Sequence, residues 1–357
     1  MFTYEKFGAI PQVIKAGDEN IINKLKNKAI MPYQCYKTHL SGSDSNWIRV
    51  REDYKYNKSQ GKTLNKTYYD IETYVRVDQT LTPFTAQYAY YPVNACAYYN
   101  NIKNASVIPF LRHPNHDKWS DAELTELVNK GYQEICKNEP GYLVEDMHLE
   151  VKGFNTELEL LTFVFNSFKE LNHHLLMGFN SENFDDPYII KRLKKLNEAK
   201  WESIISEFGQ VKSFGELSFE FPDYNLVDLL VMYKPVDAGG NGFGKSLPDY
   251  TLNTICRNLL DLTKLDLDED FIHSYENNII NYLLYNLLDV LLVFKADTKL
   301  KFVEQVFALA EINSAPLGAT IRGRSLMFSA RNNIHFTKEG RILRHGKFSS
   351  EVVFKID

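Results

Sequence analysis

Two carboxylates stand two residues apart in the stretch Tyr68-Tyr69-Asp70-Ile71-Glu72-Thr73. The stretch reads as a buried strand. Side chains on a strand alternate with a period of two, so Asp70 and Glu72 share one face while Ile71 and Thr73 take the other. Two anions side by side in an apolar strand are costly unless a positive group lies between them. A divalent metal ion is the obvious candidate, although an Asp-x-Glu pair by itself is a weak sign. Two further acidic motifs strengthen it. Asp185 lies in Asn180-Ser181-Glu182-Asn183-Phe184-Asp185-Asp186-Pro187-Tyr188, directly after the apolar strand Leu175–Phe179. Pro187 suits the first turn of a helix continuing through Ile189, Ile190 and Leu193. Asp185 is thereby set at a strand-to-helix junction, where open α/β sheets place their ligands. Read alone, a helix cap is the simpler role for it. Asp289 lies in a helix from about Asn277 to Lys295, with Tyr285 four residues earlier on the same face. Leu283, Leu284, Leu287, Leu288, Val290, Leu291 and Leu292 make this helix apolar nearly all round, hence buried. Read alone, a salt bridge or a hydroxyl bond accounts for Asp289 as well as a ligand role does.

Together, Asp70, Glu72, Asp185 and Asp289 can hold two divalent ions about 4 Å apart, the arrangement that cleaves phosphodiesters. One ion would activate water and the other would steady the leaving 3′ oxygen. Hard oxygen ligands suit Mg²⁺ or Mn²⁺. Tyr285, one turn before Asp289, is placed to orient the attacking water.

The elements that must position these groups read as an α/β domain from Thr67 onward. Strands are predicted at Asn94–Tyr99 and Ala105–Arg112, in hairpin order with the first. Helices are predicted at Asp121–Lys137, capped by Ser120, and at Thr156–Leu171, opened by Asn155. Residues 211–224 alternate and read as a hairpin. Asn225–Tyr233 is a further apolar piece, whose Asp228 reads as structural. Ala238–Gly242 is a flexible turn, and Ser246-Leu247-Pro248 leads into a helix through Ile255. The acidic stretch Asp261–Asp270 reads as a solvated loop, to which the sequence assigns no function. Residues 1 to about 64 read as a small leading module, with an exposed polar connection at Lys55–Lys66.

The 357 residues, 44% hydrophobic and 13% aromatic, suffice for one large domain or two unequal ones. A formal net charge of -5 supplies no global field for a polyanion, so nucleic-acid binding must rest on local patches. Lys191-Arg192-Leu193-Lys194-Lys195 is one candidate, a solvated helix face being the plainer reading. The four cysteines, Cys35, Cys96, Cys136 and Cys256, form no Cys-x-x-Cys pair, which argues against a zinc site or a disulfide framework. No signal pattern opens the chain and no apolar run is expected to reach membrane-spanning length. The default expectation is a cytoplasmic, intracellular protein with no membrane partner.

The three motifs resemble those of the DEDDy 3′–5′ exonuclease module of family B DNA polymerases. Tyr69-Asp70-Ile71-Glu72-Thr73 looks like the first, Asn180-x-x-x-Phe184-Asp185 like the second and Tyr285-x-x-x-Asp289 like the third. The stretches Gly178 through Ile189, Leu247-Pro248 with Tyr250-Thr251-Leu252, and Tyr285 to Val290 are similar to the T-even phage members. The resemblance covers roughly residues 65–330. It implies a ribonuclease-H-like fold, a mixed sheet flanked by helices. Asp70, Glu72, Asp185 and Asp289 would then be ligands of two divalent ions, Mg²⁺ or Mn²⁺, and Tyr285 would orient the water. Thr73, Asn180 and Phe184 would contact a single-stranded DNA 3′ end, as at a primer-template, with core packing nearly as good an account of Phe184. Asp186 would be exposed or behind the site. It also implies three segments: an N-terminal module (1–64), the exonuclease domain (65–300) and the start of a polymerase palm (301–357). A virus-infected host cell is one setting the resemblance suggests.

Helices at Leu300–Ile312 and Arg322–Arg331 resemble the passage into that palm, and Val352–Asp357 the strand entering its first motif. The remaining palm carboxylates, the fingers and the thumb are not in this sequence, so polymerisation by this chain alone is not expected. A second chain carrying them, as in a split polymerase, and an engineered fragment both fit. Two rival functions stand beside the proofreading exonuclease: an idle scaffold subunit, and a stand-alone DEDD nuclease acting on RNA.

Overall fold

In the computed structural model, residues 64–74, 86–171, 173, 175–206, 211, 219, 225–235, 238, 244–267 and 270–306 are described in full, together with the backbone of 3–6, 12–13, 33–38, 46–51, 212–214, 218 and 220. The chain separates into two compact units. Gln60–Gln305 is one, and Met1–Ser59 with Val306–Asp357 is the other. In the second unit, β1 (Thr3–Lys6), β2 (Gln12–Val13), β3 (Tyr33–Thr38) and β4 (Asn46–Arg51) form an antiparallel sheet in the order β2-β1-β4-β3. The helix expected at Leu300–Ile312 is described as far as residue 306, with 302–306 helical, while the later palm-like helix and strand, the connection at Lys55–Lys66 and the turn at Ala238–Gly242 lie wholly or largely outside the described residues.

The larger unit is built on a six-stranded mixed sheet. Its strands are β5 (Lys66–Thr73), β6 (Val93–Asn100), β7 (Ala105–Leu111), β8 (His148–Phe154), β9 (Leu175–Gly178) and β12 (Leu226–Asp228), ordered β12-β9-β5-β6-β7-β8. The hairpin order β5-β6-β7 is antiparallel, as expected, whereas β9 joins β5 in parallel and β12 joins β9 in parallel. β8, parallel to β7, is a strand the sequence reading did not pick out, although its first residues alternate exposed and buried. Between β9 and β12 lies the hairpin expected at 211–224, made by β10 (Lys212–Phe214) and β11 (Ser218–Glu220).

Helices cover both faces. α1 (Asp121–Asn138) opens on the expected Ser120, which forms a reciprocal capping box with Glu123. α2 (Glu157–Leu171) is capped by Thr156 rather than Asn155. Thr156 Oγ1 accepts from Glu159 N at 3.3 Å, and the Glu159 carboxylate accepts from Thr156 N at 3.1 Å. α3 (Asp185–Leu196) and α4 (Trp201–Ile205) follow, then α5 (Leu229–Tyr233) and α6 (Leu252–Leu260). α6 begins later than expected, because Thr251 caps it by accepting from Thr254 N. The helix expected at 277–295 is α8 (Ile279–Leu300), which starts two residues later and runs five further. A short helix not read from sequence, α7 (Phe271–Asn277), precedes it and is separated from it by Asn278 at φ -129, ψ 55.

Tyr69, Ile71, Cys96 and Tyr98 pack with Leu160, Leu161, Val164 and Phe168 of α2 and Ile189, Ile190 and Leu193 of α3. On the opposite face, Tyr68 and Tyr99 meet Phe294 of α8 at ring distances of 5.4 and 4.6 Å. The strand alternation read from sequence therefore aims Asp70 and Glu72 toward α8. That helix buries Leu283, Leu287, Leu288, Leu291 and Leu292, each worth roughly 1.5–3 kcal/mol. Contrary to expectation, α8 is long and apolar enough, by length and composition, to cross a membrane. Its burial against β5, β6, α1 and α6 marks it as the core helix of this unit.

The two central elements are also tied at the other end of β5. Lys66 Nζ lies 2.7 Å from Asp297 Oδ2 of α8 and 2.6 Å from Glu304 Oε1, and the Tyr68 hydroxyl donates to the same Asp297 oxygen at 2.6 Å.

Candidate functional site

β5 and α8 meet at three carboxylates. Asp70, Glu72 and Asp289 each bring an oxygen to within 4.8 Å of the other two. Asn286, one turn before Asp289, holds the first of them. Its Nδ2 donates to Asp70 Oδ2 at 2.9 Å, and its Oδ1 accepts from Ala97 N of β6 at 2.7 Å. Burial raises the Asp70 carboxyl well above the usual range, with Asp185 and Asp289 adding to it. Glu72 is raised likewise, by burial and then by Asp70 and Asp289. Asp289 is raised by burial, against which Lys264 and Tyr285 act.

Lys264 supplies the cation. Its Nζ lies 2.5 Å from Asp289 Oδ2 and 4.9 Å from the centre of the Tyr285 ring. Burial alone would discourage its charge, but the Asp289 carboxylate and Tyr285 hold the ammonium above its ordinary range. Sequence reading assigned nothing to Lys264 or Asn286. The available signals were a single cation within Asp261–Asp270 and a lone amide beside an acid in an apolar helix. Tyr285 stands on α8 as expected, half-buried, with its ring edge-on to Phe271 at 5.2 Å. Burial and then Asp289 push its phenol up, so it stays protonated.

Asp185, also buried, is not one of the three clustered acids. Its Oδ1 accepts from Ile71 N at 3.1 Å, which places it against β5 between the two acids of that strand, close enough to raise Asp70. Asp186 is buried rather than exposed, accepting from the Tyr69 hydroxyl, and burial pushes its carboxyl up to about 8. The junction before them is held by Asp228. This fully buried carboxylate accepts from Asn180 N at 2.8 Å and Glu182 N at 3.2 Å, and caps α5 through Leu230 N at 2.9 Å. Its structural reading stands. Asn180 turns the chain at φ 58, with its side chain accepting from Asn183 at 3.0 Å.

Phe184 is partly buried against the core and its ring lies 5.3 Å from Tyr188. Thr73 is buried, follows a register shift after Glu72 that leaves Asn94 of β6 unpaired, and contacts the Tyr188 hydroxyl. Thr73 and Phe184 therefore converge on Tyr188, whereas Asn180 is held apart on Asp228.

The basic run of α3 is engaged inside the unit. Arg192 pairs with Glu157, Leu193 is buried, Lys194 stands over the Trp201 ring at 4.5 Å, and Lys191 and Lys195 donate to the carbonyls of Gln87, Tyr88 and Ala89.

The donor set fits divalent metal. Three carboxylates share one space, each made harder to ionise by burial, and Asp289 Oδ1 is buried without a hydrogen-bond partner among the described residues. An ion there would satisfy that oxygen and offset the mutual repulsion.

Residues 117–234 match the family model for the exonuclease domain of DNA polymerase family B. The DNA-directed DNA polymerase of Escherichia phage RB69 is 24% identical over 233 residues, covering 60% of this chain and 24% of that protein. That of Enterobacteria phage T4 is 23% identical over 262 residues, covering 71% and 27%. The DNA polymerase of Choristoneura fumiferana nuclear polyhedrosis virus is 26% identical over 257 residues, covering 67% and 25%. The chain spans about a quarter of the length of these curated relatives. Its α/β unit is thus an exonuclease-like domain related to those of phage and viral family B DNA polymerases, and its mixed sheet flanked by helices is consistent with the ribonuclease-H-like exonuclease fold. The matched stretch holds Asn180, Phe184 and Asp185 but neither β5 nor α8, so the meeting of Asp70, Glu72 and Asp289 is an observation apart from it.

Proposed function

We propose that this chain carries a metal-dependent 3′–5′ exonuclease that removes nucleotides from single-stranded or frayed DNA 3′ ends, the proofreading portion of a family B DNA polymerase. The observation that carries this reading is the convergence of Asp70, Glu72 and Asp289 within 4.8 Å in an exonuclease-like fold. Asp70, Glu72, Asp289 and the adjoining Asp185 are assigned as ligands of two Mg²⁺ or Mn²⁺ ions. Such ions, when bound, lower the pKa of water at the scissile phosphate and offset charge developing on the phosphate.

The chain's own residues do the positioning. Asn286 fixes the orientation of Asp70 through a bond whose other end is anchored in β6. Lys264, ion-paired to Asp289, acts against the effect of burial on that carboxyl. Tyr285 retains its proton at neutral pH, so it orients the attacking water as a hydrogen-bond partner and does not serve as the base. Thr73 and Phe184, joined through Tyr188, are assigned to the terminal nucleotide, with Asn180 on the turn before them. The palm, fingers and thumb that polymerisation needs would come from a longer chain or a second one.

A catalytically idle scaffold would gain nothing from carboxylates held against their own repulsion. The test is digestion of 5′-labelled single-stranded DNA with Mg²⁺ or Mn²⁺, beside an RNA of the same sequence. Shortening from the 3′ end that disappears in EDTA and in Asp70→Ala/Glu72→Ala is the expected result. Intact DNA in every lane would overturn the reading, and digestion of RNA alone would move it to RNA trimming.

A further inference from the structure

Five consecutive carbonyls, from Gln87 to Tyr91, are each taken by a side chain of α3. Lys191 donates to Gln87 O at 2.7 Å, and Lys195 to Tyr88 O at 2.5 Å and Ala89 O at 3.0 Å. Arg192 donates to Ala89 O at 3.1 Å and Tyr90 O at 3.0 Å, and the Tyr188 hydroxyl to Tyr91 O at 2.8 Å. Between them Ala89 is fully buried at φ 42, a left-handed conformation that costs a residue with a side chain. So much fixing produces a specific surface. Tyr88 and Tyr90 project into solvent, 41% and 48% exposed, with rings stacked 5.4 Å apart and 13° from parallel. The exposed Lys195 stands over Tyr90, 4.8 Å from its ring centre. Its hydrogen bonds to Tyr88 O and Ala89 O go to neutral carbonyls, which leaves its charge uncancelled by them. The stacked pair is thus a flat aromatic face turned to solvent with a cation beside it.

We infer that the Tyr88–Tyr90 pair with Lys195 is a stacking platform for single-stranded nucleic acid, seating bases upstream of the nucleotide at the carboxylates. The chemistry matches: flat π faces for bases of any identity and a cation beside them for the phosphates. The placement matches as well. The anchored segment ends at Tyr91, whose carbonyl holds the same Tyr188 that touches Thr73 and Phe184. Tyr88 is three residues from Tyr91, a reach of at most about 11 Å. The inference rests on the exonuclease reading for the direction of the strand, but its test is separate from that reading.

The test uses the full chain and 5′-fluorescein oligothymidylates of increasing length, from a dinucleotide upward, with Ca²⁺ present and binding followed by anisotropy. Affinity is expected to step up once the strand is long enough to reach the platform, by about five- to a hundredfold for each stacked base. Tyr88→Ala/Tyr90→Ala should abolish the step and leave the shortest strands bound as before, and Tyr88→Phe/Tyr90→Phe should keep it. A wild-type chain with no step, or an Ala variant that binds every length as wild type does, overturns the platform and turns the tyrosine face toward a protein partner. Cleavage of the shortest strand with Mg²⁺ reports on the carboxylates alone. A length step without cleavage sinks the exonuclease reading only, and cleavage without a step sinks the platform only.

Discussion

Lys264 Nζ lies 2.5 Å from Asp289 Oδ2, while the other oxygen of that carboxylate is buried with no hydrogen-bond partner among the described residues. One half of Asp289 is thus neutralised by the protein and the other half is left for a ligand. Replacing Lys264 with Met should make Asp289 harder to ionise, because the ammonium acts against the upward pull of burial. Nuclease activity at neutral pH is expected to fall roughly ten- to a hundredfold, as for other partners of metal ligands. The acidic limb of the pH–rate profile should move to higher pH, so activity returns as pH rises. A variant that loses activity equally at every pH would contradict this account.

The crowding of Asp70, Glu72 and Asp289 sets a cost that metal should relieve. Asp70→Asn removes one repelling charge and keeps an acceptor oxygen of similar shape. In EDTA the variant is expected to melt above the wild type. With Mg²⁺ or Mn²⁺ the wild type should gain melting temperature and the variant should gain little, since ligand bound only by the folded state stabilises it. Activity should drop by at least about a hundredfold. Differential scanning calorimetry with and without metal measures the first two effects.

Asp70 and Glu72 were legible because a strand's period of two is fixed, so their shared face followed from spacing alone. Asp289 was legible as a charge in an apolar helix. Lys264 was not, since it sits in a segment with no periodicity, and only the tertiary fold brings that segment under α8. For Asp186 the sequence left an exposed place and a place behind the site both open, and the structure takes the second; nothing local shows that Tyr69 lies beneath it to decide the matter. α7 was hidden as well, because its seven residues carry only Phe271, Ile272 and Tyr275 as apolar positions, too few to show a period.

Gly178 closes β9 just before the junction that carries Asp185. A Cβ there would lie 2.5 Å from Ser181 Cβ and 3.4 Å from Tyr69 Cε1. Gly178→Ala should displace Ser181 and with it the turn that Asp228 holds. A stability loss of roughly 1–3 kcal/mol is expected, with a larger fractional loss of activity. Urea unfolding beside the nuclease assay separates the two.

His116 supplies a pH dependence away from the carboxylates. It is buried, with Nε2 at 2.6 Å from Tyr275 O, and burial lowers its pKa from 6.5 to about 4. Between those values the unfolded chain binds the proton and the folded chain does not. Its contribution is therefore complete above 6.5 and is lost as pH falls toward 4. His116→Gln should flatten that part of the stability–pH curve in urea titrations, whereas an unchanged slope would assign it to other groups.

The tie between Lys66 and Asp297 carries a consequence for how this sequence can vary. From Lys66 to Asp70 is four strand residues, about 13 Å, and from Asp289 to Asp297 is eight helical residues, about 12 Å. The two intervals run alongside each other and match in length, with attraction fastening one end and acids meeting at the other. Either end can be re-tuned by substitution. A single inserted residue between Asp289 and Asp297, however, would swing Asp289 about 100° around α8 for as long as Asp297 stayed fastened. Insertions and deletions should thus be excluded from this eight-residue spacer, a ruler built into the gene, even where its individual letters drift.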